Sequence, residues 1–522
     1  MAKSEGRMVR HTMITAAMTA LSRVLGYVRD RVVADLLGTS YWADAFYIAF
    51  RVPNTFRRFV AEGAMNASFV PVLSGAFKED GEASAWLFAR RFLYVFGTFL
   101  ALFGAAGSLA APAIVRAMAW EFAGKAPEVY ERCQHLTALL FPYITLVSLS
   151  AIAMGILNCR DVFGPPAFTP VLLNLSMVAA GLWWGRGANN PTDALAWGVL
   201  VGGALQFLFQ VPYLKKVGMS LAPAFSLRDP RVRKVFALMV PGMLGAGVGQ
   251  FTVLVGTAMA HVLGEGAVSA LYYANRVTEL AFGIFAVSIS QVILPRMSMQ
   301  VKAGDRAELE STLSQSLSMV FFELLPATAG ILALSRPIVE VLFQTGRFNA
   351  QSVALTEGPL VAYTAGMVAS GVALILVKVC HAHQDMMTPF YAGLGVLGSY
   401  VVLSLALMPS LGATGIALAS SLSAVVNIAW VAWALRRKHG VPIPWKKLGR
   451  SFGQAAALSA AMGAGAWGIY TSLPHGTMAE KATALFASIG AGIALYAGAA
   501  FAMDIPHVQP FKEWWRRRRG SS

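Results

Sequence analysis

Charge is scarce in this 522-residue sequence: Asp, Glu, Lys and Arg together make up 13% of it, about half the share of an ordinary soluble domain. A water-solvated globule is excluded, because there is too little polar surface to cover one. Cysteine is scarcer still. Cys133, Cys159 and Cys380 are too few and too scattered for a disulfide framework or a metal knuckle, and read as packing residues. Acidic residues are short relative to basic ones, 26 against 42, which leaves a formal net charge of +16. Also missing are a phosphate loop of the GxxxxGK type, an HExxH pair, and any segment between spans long enough to carry an enzyme core. The chain therefore does not read as an enzyme, and neither a cofactor nor a metal is expected.

What fills the sequence instead is apolar. Hydrophobic residues make up 56% and the mean hydropathy is +0.58, so the excess must face lipid. At about 20 residues per span, helices are predicted near 13–37, 43–75, 88–115, 134–158, 167–184, 193–214, 234–263, 267–300, 310–334, 354–380, 388–408, 413–435, 450–472 and 481–503, about fourteen in all. The fold class is an all-α polytopic membrane protein. The first of these helices carries Arg23, Arg29, Asp30 and Arg31, so a mature helix is expected there and not a cleaved signal.

The distribution of cations tests that count, since a missed helix would invert every later loop. With the N-terminus cytoplasmic, about 28 Lys and Arg fall on the cytoplasmic side, about 7 opposite and about 7 within spans. Both termini are expected in the cytoplasm. Topology and the surface charge of the leaflet account for the basic blocks around Lys215-Lys216, Arg436-Arg437-Lys438 and the tail from Lys512 to Arg519, so no nucleic-acid partner is expected.

The chain repeats itself after about 225 residues. Tyr47-Ile48-Ala49-Phe50-Arg51-Val52 matches Tyr272-Tyr273-Ala274-Asn275-Arg276-Val277, Pro71 matches Pro295, Pro112 matches Pro337, and Pro166 falls opposite Pro389. The period covers an even number of spans. Residues 1–220 and 221–440 are accordingly expected to form two parallel six-helix lobes around a central cavity, with 441–522 adding two helices and the basic tail. Gly198/Gly202 and Gly245/Gly249 stand at the spacing that lets helices approach closely.

Arg23, Arg29, Asp44, Arg51, Arg57, Arg58, Glu62, Arg276 and Glu279 lie in or near predicted spans. Each such charge costs roughly 2.5–3.5 kcal/mol at a helix centre, so they must line protein or water and not lipid. Asp44, Arg51 and Arg58 recur every seven residues and Glu62 lies four beyond Arg58, which places them on one helix face; Arg276 and Glu279 share another. Internal ion pairs account for the carboxylates, yet arginines outnumber them about two to one, and no lysine joins the set. Guanidinium suits bidentate phosphate contacts, so an anionic, phosphate-bearing substrate is indicated, moved by a secondary transporter. Lys378, His381, His383 and Asp385 after the tenth span are expected to be solvated loop-end residues, with a proton relay or metal site as the alternative.

The string Ser22-Arg23-Val24-Leu25-Gly26-Tyr27-Val28-Arg29-Asp30, then Asp44-Ala45-Phe46, Arg51-Val52-Pro53-Asn54 and Arg57-Arg58-Phe59-Val60-Ala61-Glu62-Gly63-Ala64, resembles the MurJ (MviN) family of bacterial lipid II flippases. So do Tyr272-Tyr273-Ala274-Asn275-Arg276 and Phe343-Gln344-Thr345-Gly346-Arg347-Phe348. The resemblance implies a fourteen-helix member of the multidrug/oligosaccharidyl-lipid/polysaccharide exporter superfamily in the bacterial inner membrane. It implies that lipid II, undecaprenyl-diphosphate bearing the disaccharide-pentapeptide, moves from the cytoplasmic to the periplasmic leaflet. It implies Arg23, Arg29, Arg57, Arg276 and Asp44 as substrate-binding residues, Arg51, Arg58, Glu62 and Glu279 as secondary cavity or gate residues, a lipid groove on the last two helices, and membrane lipids and peptidoglycan-synthesis proteins as partners. An exporter of another diphosphate-linked glycolipid and a non-transporting scaffold for cell-wall synthesis stay open as alternatives.

Overall fold

The computed structural model describes residues 2–57 and 65–503, and no strand occurs among them. Arg58, Glu62 and the basic tail lie outside the described residues. By its internal contacts the chain divides into two units, Met1–Ser269 with Thr345–Asn349, and Ala270–Gln344 with Ala350–Ser522.

The first unit contains α1 (Ala2–Leu37), α2 (Tyr41–Arg57), α3 (Met65–Glu79), α4 (Glu82–Leu109), α5 (Ala111–Met118), α6 (Phe122–Lys125), α7 (Pro127–Leu140), α8 (Tyr143–Asn158), α9 (Gly164–Trp183), α10 (Pro191–Leu208), α11 (Val211–Lys216) and α12 (Pro230–Ala260). The unit boundary falls within α13 (Ala267–Ile284). The second unit continues with α14 (Ala286–Ala303), α15 (Arg306–Ala333), α16 (Ser335–Phe343), α17 (Ala350–Ala365), α18 (Met367–Ala382), α19 (Met387–Leu411), α20 (Ala413–His439), α21 (Trp445–Ser472) and α22 (Met478–Ala502).

Among the described residues nine helices are long and apolar enough to cross a membrane, or ten if α17 and α18, bent by 41°, count as one broken span. The remaining expected spans coincide with α1, α2–α3, α12 and α21. At 36, 31 and 28 residues, α1, α12 and α21 are long enough to cross at about 1.5 Å per residue, so the helix inventory is compatible with fourteen. Charge within α1 and α2 is what sets those two apart from the plainly apolar helices.

Helix ends follow local chemistry. Proline occupies the first turn of α5, α7, α9, α10 and α12, where its missing N–H costs no hydrogen bond. Asp229 and Asp305 cap α12 and α15 through Arg231 N–H and Glu308 N–H, both at 2.9 Å, and Thr477 with Glu480 closes a capping box on α22.

The internal repeat is written into the backbone. Residues with positive φ recur about 223 positions apart: Gly81 and Gly304, Asp161 and Gln384, Gly218 and Gly440. Asp161 and Gln384 are the two that are not glycine among the described residues, and each sits in the same turn. Val162 N–H bonds Leu157 O at 3.0 Å in one copy; Asp385 N–H bonds Cys380 O at 2.9 Å in the other. These are the six-to-one closures of a Schellman cap. The break between α7 and α8 at Phe141-Pro142 likewise has its counterpart at Gly366, between α17 and α18.

The core of the first unit is aromatic. Phe69 and Phe92 stack with centroids 4.5 Å apart, Phe92 and Phe96 stack at 5.2 Å, and Phe236 meets Phe96 edge-on at 5.6 Å, which locks α3, α4 and α12 together. Cys133 is buried and donates from Sγ to Ala45 O at 3.7 Å, a packing role.

Of the two small-residue pairs, Gly198/Gly202 makes a tight crossing. A Cβ on Gly198 would lie 3.0 Å from Met177 Cα, and one on Gly202 2.9 Å from Leu173 Cα, whereas Gly249 has open space beside it. Gly202→Val is therefore expected to force α9 and α10 apart at a cost of about 1–3 kcal/mol, while Gly249→Val changes little. Thermal unfolding of the detergent-solubilised variants checks this; equal midpoints would mean that the crossing does not depend on the missing side chain.

Candidate functional site

Arg29 lies on the inner face of α1 and is only 9% exposed. Its Nε and Nη2 donate to Asp30 Oδ1 at 3.0 and 2.6 Å, and Nη1 donates to Asn174 Oδ1 on α9 at 3.1 Å. Asn174 in turn donates from Nδ2 to Ser22 O on α1 at 3.0 Å. The guanidinium is thus integrated into the α1–α9 contact by a fully directed polar network. Asn174 was not among the residues singled out by sequence, although an amide within Val171-Leu172-Leu173-Asn174-Leu175 is the kind of signal that marks a polar interhelical contact.

Arg23, two turns earlier on α1, is exposed. Arg57 donates from Nε to Asn54 Oδ1 one turn back on α2 at 2.9 Å, and Arg51 is half-buried on the same helix. In the second unit Arg276 and Glu279 form a half-exposed pair at 3.4 Å on α13, three residues apart as their spacing predicts.

Asp44 is different from the other members of the set, being fully buried. Its Oδ1 accepts from Ser269 N–H and Ser269 Oγ, both at 2.7 Å, and its Oδ2 accepts from Gly266 N–H at 2.8 Å. Gly266 and Ser269 flank the first turn of α13, whose amides have no partners within the helix. Asp44 therefore caps a helix that begins more than 220 residues away, and places its negative charge where the helix dipole favours it.

A second long-range dock holds the Thr345-Gly346-Arg347 motif. Asp35 Oδ1 accepts from Thr345 Oγ1 at 2.9 Å and Asp35 O accepts from Arg347 N–H at 2.9 Å. Gly38 and Gly346 both have positive φ, and a Cβ on either would come within 2.4 Å of the opposing segment. The close approach requires glycine twice.

The residues after α18 are more ordered than solvated loop ends. Asp385 accepts from Thr388 N–H at 2.9 Å and Thr388 Oγ1 at 2.6 Å, faces His439 Nε2 at 3.0 Å and lies 3.7 Å from Lys438 Nζ. His383 packs on His439 with ring centroids 4.3 Å apart, and no metal-binding group of three or more ligands occurs among the described residues. Burial alone would raise the Asp385 carboxyl, but Thr388, His439 and Lys438 outweigh it and hold the group well below the usual carboxylate range. A depressed folded-state value contributes stability above about pH 4, the ordinary carboxylate value, and that contribution is lost as pH falls through the folded value. The thermal midpoint is expected to drop on acidification below about pH 4, and less steeply in Asp385→Asn; parallel pH profiles would remove Asp385 from the acid response.

The family model described as lipid II flippase MurJ matches residues 33–485. A probable lipid II flippase MurJ of Vibrio cholerae serotype O1 is 34% identical over 500 residues, covering 94% of this chain and 95% of that protein. The lipid II flippase MurJ of Burkholderia cenocepacia is 34% identical over 433 residues, covering 82% and 84%. A solved lipid II flippase MurJ in an inward closed conformation superposes with a TM-score of 0.78 at 24% identity, covering 94% of this chain and 99% of that one. An inward-facing MATE family multidrug transporter of the MOP superfamily gives 0.67 at 13% identity, covering 82% and 98%, a likeness of fold.

Proposed function

The chain belongs to the MurJ family of lipid II flippases, multi-pass proteins of the bacterial inner membrane, and on that premise we propose that it carries lipid II from the cytoplasmic to the periplasmic leaflet by alternating access. The N- and C-termini lie in the cytoplasm in this reading, following the cation asymmetry of the loops. Residues 1–220 and 221–440 serve as the two parallel lobes, and 441–522 as the helices that guide the isoprenoid tail.

The observation that carries the reading is the placement of guanidinium groups on otherwise apolar helices, above all the exposed Arg23 on α1 and the half-exposed Arg276 on α13. Arg23, Arg29, Arg57 and Arg276 bind the diphosphate and sugar head group, with Arg51, Arg58, Glu62 and Glu279 in supporting positions. Asp44 serves the same site indirectly, by holding the start of the helix that bears Arg276. Neutralising the arginines with a diphosphate removes like-charge repulsion and favours closure of the loaded state.

The deciding experiment measures the leaflet location of lipid II in cells that rely on this chain alone. Lipid II is expected to reach the outer leaflet with the intact chain and to accumulate inside with Arg→Ala variants. Outer-leaflet lipid II that persists when the chain is depleted would overturn the reading.

A further inference from the structure

The first unit holds a polar cavity of 490 Å³ that the arginine chemistry does not use. Trp42 at the start of α2, Glu128, Glu131, Arg132 and His135 on the first turns of α7, and Arg347 of the docked loop line it. All lie at the end of the helices where α1 stops, the periplasmic end in the proposed topology. The volume falls within the range of small-molecule sites, about 300–1,000 Å³.

Some of this polarity is already committed. Arg132 pairs with Asp193 at 2.9 Å, and His135 lies 3.8 Å from the other oxygen of the same carboxylate. Glu128, Glu131 and Arg347 are exposed, and their side chains make no ion pair or hydrogen bond among the described residues. Glu128 and Glu131 stand three residues apart, on one face of α7. Arg347 is mounted on a fixed backbone, because its N–H is held by Asp35 O at 2.9 Å.

Unspent charges of both signs around one concavity select against simple ligands. A bare anion meets two carboxylates, a bare cation meets a guanidinium, and a neutral sugar hydrogen-bonds to both, and to Asn189, but neutralises neither charge. We propose that this cavity binds a short peptide bearing both an ammonium and a carboxylate, with Glu128 and Glu131 receiving the ammonium, Arg347 the carboxylate, and Trp42 forming the apolar wall. The proposal rests on the flippase reading: the ligand is the peptide part of the head group as it emerges from the site of transport.

Isothermal titration of the purified full-length chain in detergent tests it, with a lysine-containing pentapeptide carrying a free C-terminal carboxylate as the probe. Binding is expected, and is expected to weaken about tenfold or more when the probe's amines are acetylated or its carboxylate amidated. The same loss is expected in Glu128→Gln/Glu131→Gln and in Arg347→Gln, whose side chains are exposed and whose thermal midpoints should match the parent. No binding, binding indifferent to the three side chains, or equal binding of an N-acetylglucosamine disaccharide or pyrophosphate overturns the proposal. Because titration needs no transport, the result is separable from the leaflet measurement: a chain that flips lipid II but ignores the peptide loses only this inference.

Discussion

Cells that depend on this chain for lipid II transport are expected to stop growing when Arg23 or Arg276 is replaced by alanine, with the protein still present at its normal level. Arg23 gives the cleaner test. It is exposed, so removing it changes folding stability by no more than about 0.5 kcal/mol. A charge-assisted contact to diphosphate is worth roughly 1.5–3 kcal/mol, so each lost contact slows transport by about tenfold to a hundredfold. Arg29→Ala also abolishes rescue but for a mixed reason, because it breaks the 2.6 Å ion pair with Asp30, which is only 4% exposed. Breaking such a buried pair costs about 3–5 kcal/mol, so the level of the variant falls too. Removing both charges, as Arg29→Met with Asp30→Asn, should restore the level without restoring growth. Arg→Lys at Arg23 and Arg276 then separates charge from geometry, since an ammonium cannot reproduce the bidentate fork. Normal growth of the Arg23→Ala, Arg276→Ala double variant would sink the head-group assignment.

Asp44→Ala is expected to be the most damaging single change to the fold. The carboxylate satisfies three buried donors at once, each of which costs about 1–3 kcal/mol if left without a partner. With partial relaxation the loss is about 3–5 kcal/mol, or a fall of about 3–5 °C in thermal midpoint for a chain of this length. Asn is a poor substitute, because its amide turns a donor toward donors. Ser269→Ala removes only the hydroxyl bond and should cost about 1 kcal/mol, which calibrates the larger effect. An Asp44→Ala chain with parental stability but no transport would show instead that the carboxylate acts on substrate.

Much of this protein was legible from residues near one another in sequence. The apolar spans, the proline-led helix starts and the capping box at Thr477-Met478-Ala479-Glu480 depend on interactions within a turn or two, and nine or ten helices among the described residues stand where hydropathy places spans. Even the repeat carries through to the backbone, since Gly81 and Gly304, or Gly218 and Gly440, mark positive-φ positions that favour glycine. The i,i+3 pair Arg276 and Glu279 was equally local.

What eluded sequence reasoning was partnership over distance. The even spacing of Asp44, Arg51 and Arg58 suggested one equivalent face, but Asp44 is consumed by amides 222 and 225 residues away. Arg29 is matched to an asparagine 145 residues on, and Asp35 to a threonine 310 residues on. Composition and periodicity settle which segments are helices and that arginine is in excess, because hydrophobic transfer and helix geometry act additively along the chain. Which charges are held by the protein and which stay available is decided only when packed helices bring their ends together, because a hydrogen bond or ion pair needs its partner within about 3–4 Å and has no signature in the residues beside it.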